Sequence, residues 1–119
     1  MTTTLRPITA QDMDFLYRVY ASTREDEMAA LDWTGTQKDT FLQMQFHAQH
    51  THYQEYFGDA SFDLILLDGE PVGRLYLHRR KDEIRIIDIA LLTKYRGQGI
   101  GSALMRDILD QATQVDLPV

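Results

Sequence analysis

The stretch Asp88-Ile89-Ala90-Leu91-Leu92-Thr93-Lys94-Tyr95-Arg96-Gly97-Gln98-Gly99-Ile100-Gly101 changes character twice. An apolar run gives way to a glycine-rich turn, and the turn opens an amphipathic helix. The run begins at Glu83 and carries Ile84, Ile86, Ile87, Ile89, Leu91 and Leu92, a content of branched aliphatic residues that predicts a strand over 83–92. Beyond Gly99, Ile100, Ala103, Leu104, Ile108 and Leu109 fall on one helical face, and Asp116 to Val119 leave it. The turn between strand and helix is suited to an anion. The first turn of a helix has backbone N–H groups without internal partners, and the helix dipole adds positive potential there. Glycines at 97, 99 and 101 let the backbone approach an anion closely. Arg96 adds a charge-assisted donor beside the turn, and Ser102 a hydroxyl.

Two other glycine-rich readings fail. A dinucleotide fingerprint counted from Gly97 would need glycine where Ser102 stands, and its strand would belong to a βαβ unit. A Walker loop would close on Gly-Lys-Ser/Thr, which this sequence lacks.

Upstream of the stretch, Phe62–Leu67 and Val72–Arg79 read as strands joined by Asp68-Gly69, a strong two-residue hairpin signal. Lys81-Asp82 marks the next tight connection, so three strands form an antiparallel meander. Further back, Leu5, Pro7 and Ile8 read as a first strand. Thr9 and Asp12 have capping-box spacing before a helix with Phe15, Leu16, Val19 and Tyr20 on one face, fading near Thr23. Arg24 to Gly35 reads as a loop or broken helix. Thr36 and Asp39 repeat the capping pattern before a second helix through Phe41, Met44 and Gln45 to about His47. The order is strand, helices, meander, helix: an α+β fold with helices on a twisted, mostly antiparallel sheet.

Composition narrows the function classes. With 119 residues and no linker or repeat, one domain spanning 1–119 is expected. There is no cysteine, which removes thiolate metal sites and cysteine nucleophiles and fits a reducing, cytoplasmic setting. A net charge of −6 argues against a nucleic-acid partner and weakly favours a cationic one. Neither a signal-peptide pattern nor a membrane-spanning apolar run is present, so no membrane association is expected.

The segment from Asp88 to Gly101 resembles motif A of the GNAT acetyltransferase superfamily, whose Gln/Arg-x-x-Gly-x-Gly/Ala is matched by Arg96, Gly99 and Gly101. The meander with Asp68-Gly69-Glu70-Pro71-Val72-Gly73 and the helix-rich N-terminus are also similar to that family, so the resemblance covers nearly the whole chain. It implies acetyl transfer from acetyl-coenzyme A to a primary amine of a small molecule or peptide, by direct attack in a ternary complex. The amides of Gly97, Gln98, Gly99, Ile100, Gly101 and Ser102, with Arg96, would hold the coenzyme A pyrophosphate. The backbone of Ala90, Leu91 and Leu92 would pair with the pantetheine arm. A strand N–H would stabilise the oxyanion, and no metal is implied. Thr93 stands where many members carry proline. The alternative is a non-catalytic acyl-coenzyme-A-binding module.

The family continues past this helix with a fifth strand and a helix that often supplies a tyrosine as leaving-group acid. Leu117-Pro118-Val119 looks like the entrance to that strand, so the domain is expected to be incomplete, with the acid unassigned. An unpaired edge on 83–92 would then favour a homodimer or strand-swapped assembly.

Among side chains for proton work, Asp88 has two readings. It is a catalytic base or amine anchor, or it is the cross-strand partner of Arg74 or Arg85. His47, His50, His52 and Glu55 lack the tight spacing of a zinc site and read as a polar helix end, and His78 reads as structural. Trp33, Tyr53, Tyr56 and Phe57 cluster where the family builds its acceptor pocket, although packing alone accounts for most aromatic residues.

Overall fold

The computed structural model describes residues 2–119; Met1, the first residue of the single-domain span, lies outside the described residues. Four strands form one antiparallel sheet in the order β1-β2-β3-β4: β1 (Thr3–Pro7), β2 (Ser61–Leu67), β3 (Glu70–Arg79) and β4 (Ile84–Leu91). The β2–β3 turn has positive φ at Asp68 (50°) and Gly69 (85°), the geometry that suits the right-handed twist of a hairpin. The Asp68 carboxylate also accepts the Thr2 amide at 2.7 Å, tying the start of β1 to the hairpin. Pro7 is tolerated because β1 lies at the sheet edge.

Helices cover both faces. On one side lie α1 (Met13–Ser22), a short α2 (Glu25–Ala29) and α3 (Gly35–Tyr56), with Leu16, Tyr20, Leu42, Phe46 and Leu64 at the centre of the packing. On the other lies α4 (Ile100–Gln114), whose Ile100, Leu104, Ile108 and Ala112 pack on Ile65, Val72, Leu75 and Leu77. Leu64 and Ile65 are adjacent in β2 yet enter opposite cores, as the alternation of a strand requires. Central β3 is buried from Val72 to Leu77.

The Thr9–Asp12 capping box forms, opening a single 3₁₀ turn (Ala10–Asp12) ahead of α1, and Arg6 pairs with Asp12 at 3.0 Å. The stretch after α1 is a broken helix, with α2 as its only helical part. Two expectations are corrected at α3. Its cap is Thr34, whose hydroxyl accepts the Gln37 amide (3.1 Å) while Gln37 Oε1 accepts the Thr34 amide (2.9 Å). The helix also runs on to Tyr56, well past His47. Its second half lies beside the sheet with polar, half-buried Gln49, His50 and Tyr53, so apolar periodicity cannot reveal it.

Two irregularities interrupt the ladders, one in β3 and one in β4. Gly73 pairs with Ile65 and Pro71 with Leu66, leaving Val72 as an extra residue in β3; Asp88 pairs with Tyr76 and Ile86 with Leu77, leaving Ile87 extra in β4. Such bulges re-aim side chains and reverse the inside–outside parity of a strand. No helix among the described residues is long and apolar enough to cross a membrane.

Candidate active site

The polypeptide leaves β4 through a 3₁₀ turn (Thr93–Tyr95), extends at Arg96, and enters α4 through Gly97 (φ 75°) and Gly99 (φ 84°). The left-handed conformations at 97 and 99 are those L side chains rarely adopt. A Cβ placed at Gly97, Gly99 or Gly101 would meet nothing within 4 Å, so this side of the loop is open. Arg96 holds the loop in place. Its Nε donates to the Leu91 carbonyl at 3.0 Å and its Nη2 to Ser22 Oγ at 3.3 Å, linking the loop to β4 and to the end of α1. Gln98 Nε2 donates to the Lys94 carbonyl at 2.9 Å, closing the turn on itself.

A groove of about 600 Å³ runs from this loop along β4, lined among others by Ile89, Leu91, Arg96, Gly101, Ser102 and Arg106. Its charged lining residues are both arginines, on a chain of net charge −6. The β4 backbone at the groove follows from the register. The Leu92 N–H donates to the Val72 carbonyl at 2.9 Å, so Leu92 faces β3. By alternation Ala90 also faces β3, opposite Arg74, while the backbone groups of Ile89 and Leu91 point away from the sheet. On the outer side of β4, the Ile84 N–H donates to the Pro118 carbonyl at 2.9 Å.

Next to the groove, and sharing Thr23, Ile89 and Ala90 with it, is a polar cavity of about 330 Å³. Arg24, Gln49, Tyr53, Arg74, Ile87 and Asp88 are among its walls. Arg74 is only 3% exposed. Its Nη2 is shared between the Asp88 carboxylate and Gln49 Oε1, and its guanidinium carbon lies 5.1 Å from the centre of the Tyr76 ring. Burial pushes the Tyr76 phenol up to about 12, so it keeps its proton at neutral pH. Burial likewise raises Tyr53, with the Asp88 charge adding to the effect. The bulge at Ile87 brings both Ile87 and Asp88 to the walls of this one cavity.

A family model described as the acetyltransferase (GNAT) family matches residues 21–118. The chain belongs to that family. It is accordingly an acyltransferase. Among solved structures its fold is similar to that of the PaiA N-acetyltransferase from Thermoplasma acidophilum in complex with coenzyme A (13% identity, 98% of this chain and 76% of that one, TM-score 0.64). It is also similar to an acetyltransferase from Thermus thermophilus (23% identity, 90% and 68% covered, TM-score 0.55). A third is N-acetylglutamate synthase from Neisseria gonorrhoeae, complexed with coenzyme A and N-acetyl-glutamate (15% identity, 98% and 24% covered, TM-score 0.55). At these identities the likeness is one of fold. No curated protein matches the sequence.

In this GNAT chain the expected site residues fall into two sets. Ala90, Leu91, Arg96, Gly101 and Ser102 line the groove, and Gly97, Gln98, Gly99 and Ile100 form the turn beside it. Of the three residues expected to pair with pantetheine through their backbone, Leu91 alone turns it outward; Leu92 donates its N–H to β3, and Ala90 also faces β3. Asp88 is the partner of Arg74, and Arg85 instead pairs with Glu83 at 3.0 Å. The histidines do not enter the cavity. His47 and His50 pack beside Phe46, His52 faces Tyr56 at 4.5 Å, and His78 bonds Asp59 at 2.9 Å. Burial, with His47 and Arg74 nearby, lowers the His50 pKa. Of the four aromatic residues expected near an acceptor, Tyr53 lines the cavity; Trp33 packs edge-on to Phe41 at 5.4 Å, Phe57 packs edge-on to His78 at 5.9 Å, and Tyr56 is largely exposed. Sequence reasoning missed Arg24, Gln49 and Arg106 as site residues. Only Arg106 left a local signal, one helical turn after Ser102 on the same face.

Proposed function

We propose that this GNAT chain transfers an acetyl group from acetyl-coenzyme A to a primary amine of a small molecule or peptide. One observation carries the reading: an open helix N-terminus and a free strand edge share a groove whose only charges are arginines, and that groove meets a polar cavity at Ile89–Ala90. Pyrophosphate suits the amides of Gly97 to Ser102, where the N-terminus of α4 supplies unpaired donors and positive potential. Arg96 and Arg106 add charge on its flanks. The outward groups of Ile89 and the outward N–H of Leu91 offer strand-like hydrogen bonds to the pantetheine amides, the Leu91 carbonyl being held by Arg96.

The neutral amine, placed in the cavity, attacks the thioester carbonyl. A C–N bond forms, the C–S bond breaks, the amine gives up a proton, and the departing thiolate takes one. An outward N–H of β4 is suited to the oxyanion, because a fixed donor in a partly dry site costs no reorganisation as charge develops. Asp88 keeps one carboxylate oxygen outside its bond to Arg74 and serves as an anchor for the amine. When the groove is empty, the outer edge of β4 also suits pairing with a second copy of the chain.

Calorimetric titration of acetyl-coenzyme A tests the reading, with Gly101→Glu as the variant. That position lies within α4, so glutamate adds no backbone strain, and its Cβ points into open groove. The expected result is binding by the parent, loss of binding by Gly101→Glu, and thiol release when an amine is added. Equal binding by parent and variant, or equal competition by ATP, would refute it. Sedimentation of the same sample reads the pairing of copies, which a monomer at micromolar concentration would exclude.

A further inference from the structure

The polar cavity has a charge opposite to that of the chain. Its walls carry two guanidiniums, Arg24 and Arg74, against one carboxylate, Asp88. Arg74 and Asp88 are bonded to each other, so the pair is close to neutral. Arg24 is the cation whose counter-ion lies outside the cavity walls. Its Nη1 donates to Glu27 Oε1 at 3.0 Å, but Glu27 is 62% exposed and is not among the cavity walls. An exposed ion pair of that kind is weak and leaves the cation available. Arg24 Nε is buried without a partner among the described residues, and so is the Nε of Arg74. Unpaired buried donors are uncommon in native proteins and call for an explanation. A polycation would meet net repulsion here, whereas an anion would meet donors already in place.

We infer that the acceptor is an amine that also carries a carboxylate, bound with the carboxylate at Arg24 and the amine at Asp88 beside Ile89–Ala90. This rests on the acetyl-transfer reading of the same site and names its substrate class. A cavity of about 330 Å³ is at the lower end of small-molecule sites, the size of a free amino acid. The geometry of guanidinium suits a carboxylate, which it can bind through two parallel hydrogen bonds. The Asp88 oxygen not engaged by Arg74 is the acceptor available to an ammonium group before it is deprotonated. The overall charge of −6 leads to the opposite expectation, a polyamine, so the two can be separated directly.

The test pairs each amine with its carboxylated counterpart: L-phenylalanine against phenethylamine, and L-lysine against cadaverine, with spermidine as the polycation. Binding is read by ligand-observed NMR on the full chain, with and without coenzyme A, and kcat/KM by thiol release. A lost ion pair and an unpaired guanidinium lead us to expect at least about tenfold preference for the carboxylated member. Arg24→Met should erase most of that preference and Arg24→Lys retain part of it. Preference for cadaverine or spermidine, or a carboxylate preference unchanged in Arg24→Met, would overturn the inference. So would an Arg24→Met variant that weakens coenzyme A binding alone, since Arg24 would then serve the cofactor. Absence of coenzyme A binding in the parent counts against acetyl transfer, while the pairwise preference in the cofactor-free arm still decides this inference.

Discussion

Arg74 and Asp88 give the sharpest quantitative test, because the two readings of Asp88 predict different patterns of loss. Arg74 is 3% exposed and Asp88 21% exposed, and among the described residues Asp88 is the only anion bonded to the buried guanidinium. Removing one partner of a buried pair costs about 3–5 kcal/mol, because the other charge is left unpaired. Here Asp88 is partly exposed and Gln49 retains its bond, so Asp88→Ala should cost about 2–4 kcal/mol, at or just below the lower end of that range. The reverse change is milder. Arg74→Met fills the same volume with an apolar chain and leaves a carboxylate that can reach water, so a loss of about 1 kcal/mol or less is expected. With Arg74 gone, Asp88→Ala has little further to lose. The double variant should therefore sit close to Arg74→Met, with a coupling of about 2–4 kcal/mol, as large as the Asp88→Ala loss itself and well above the few tenths seen for independent sites.

Urea unfolding followed by circular dichroism measures all four proteins, and turnover is measured on the same samples. If Asp88 is also a general base, Asp88→Asn should lower turnover by about 10²–10⁴-fold in addition to any loss of stability from the weakened pair. If it is the partner of Arg74 and anchor of the amine, the loss should fall on stability and on the KM for the amine. Single losses that add without coupling would refute the ion-pair reasoning. A full loss of kcat in Asp88→Asn with unchanged KM would refute the anchor.

The remaining predictions concern the strand edge and the alkaline limit. A Cβ at Gly73 would lie 2.2 Å from the Ala90 carbonyl oxygen and 3.0 Å from Leu91 Cα, so Gly73→Ala must push β4 outward. Overpacking against backbone should destabilise by about 1–3 kcal/mol and weaken acetyl-coenzyme A binding through Ile89–Leu91; an unchanged denaturation midpoint and affinity would contradict the close approach. Tyr17 and Tyr76 are both raised to about 12, chiefly by burial, with the bond to Asp39 adding at Tyr17. The folded state then holds those protons more tightly than the unfolded chain, so their contribution is complete below pH 10 and is lost as pH rises toward 12. Absorbance titration should show these two phenols ionising last, with Tyr17→Phe removing one of them; ionisation of all six tyrosines near pH 10 would contradict it.

The parts of this molecule that were legible in the sequence are those whose signals are local. Asp68-Gly69 specifies its turn through its own backbone, and the glycines at 97 and 99 do the same for the loop. The meander and the groove follow from them. The polar cavity was not legible, because its walls come from the end of α1, the second half of α3, β3 and β4. Arg24, Gln49, Arg74 and Asp88 share no spacing; sheet register and the bulge at Ile87 bring them together. That bulge is hidden in the sequence by the run Ile86-Ile87, which reads equally well with or without a reversal of parity.

Overall charge and the charge lining the cavity point to different kinds of acceptor. Net charge sums residues over the whole surface, yet exposed charges are screened beyond about 8–10 Å at physiological salt. A ligand entering the cavity therefore responds mainly to the residues that line it. Those are Arg24, Arg74 and Asp88, with Arg96 and Arg106 in the adjoining groove: four cations against one anion. Such a distribution would suit both proposed substrates, since an anionic cofactor and a carboxylated amine would each enter a locally positive site. Raising salt should accordingly weaken a carboxylated amine at this site, whereas a polyamine held only by the distant acidic surface would lose its attraction more steeply. The salt dependence of the two classes of amine thus reads the local field independently of any substitution.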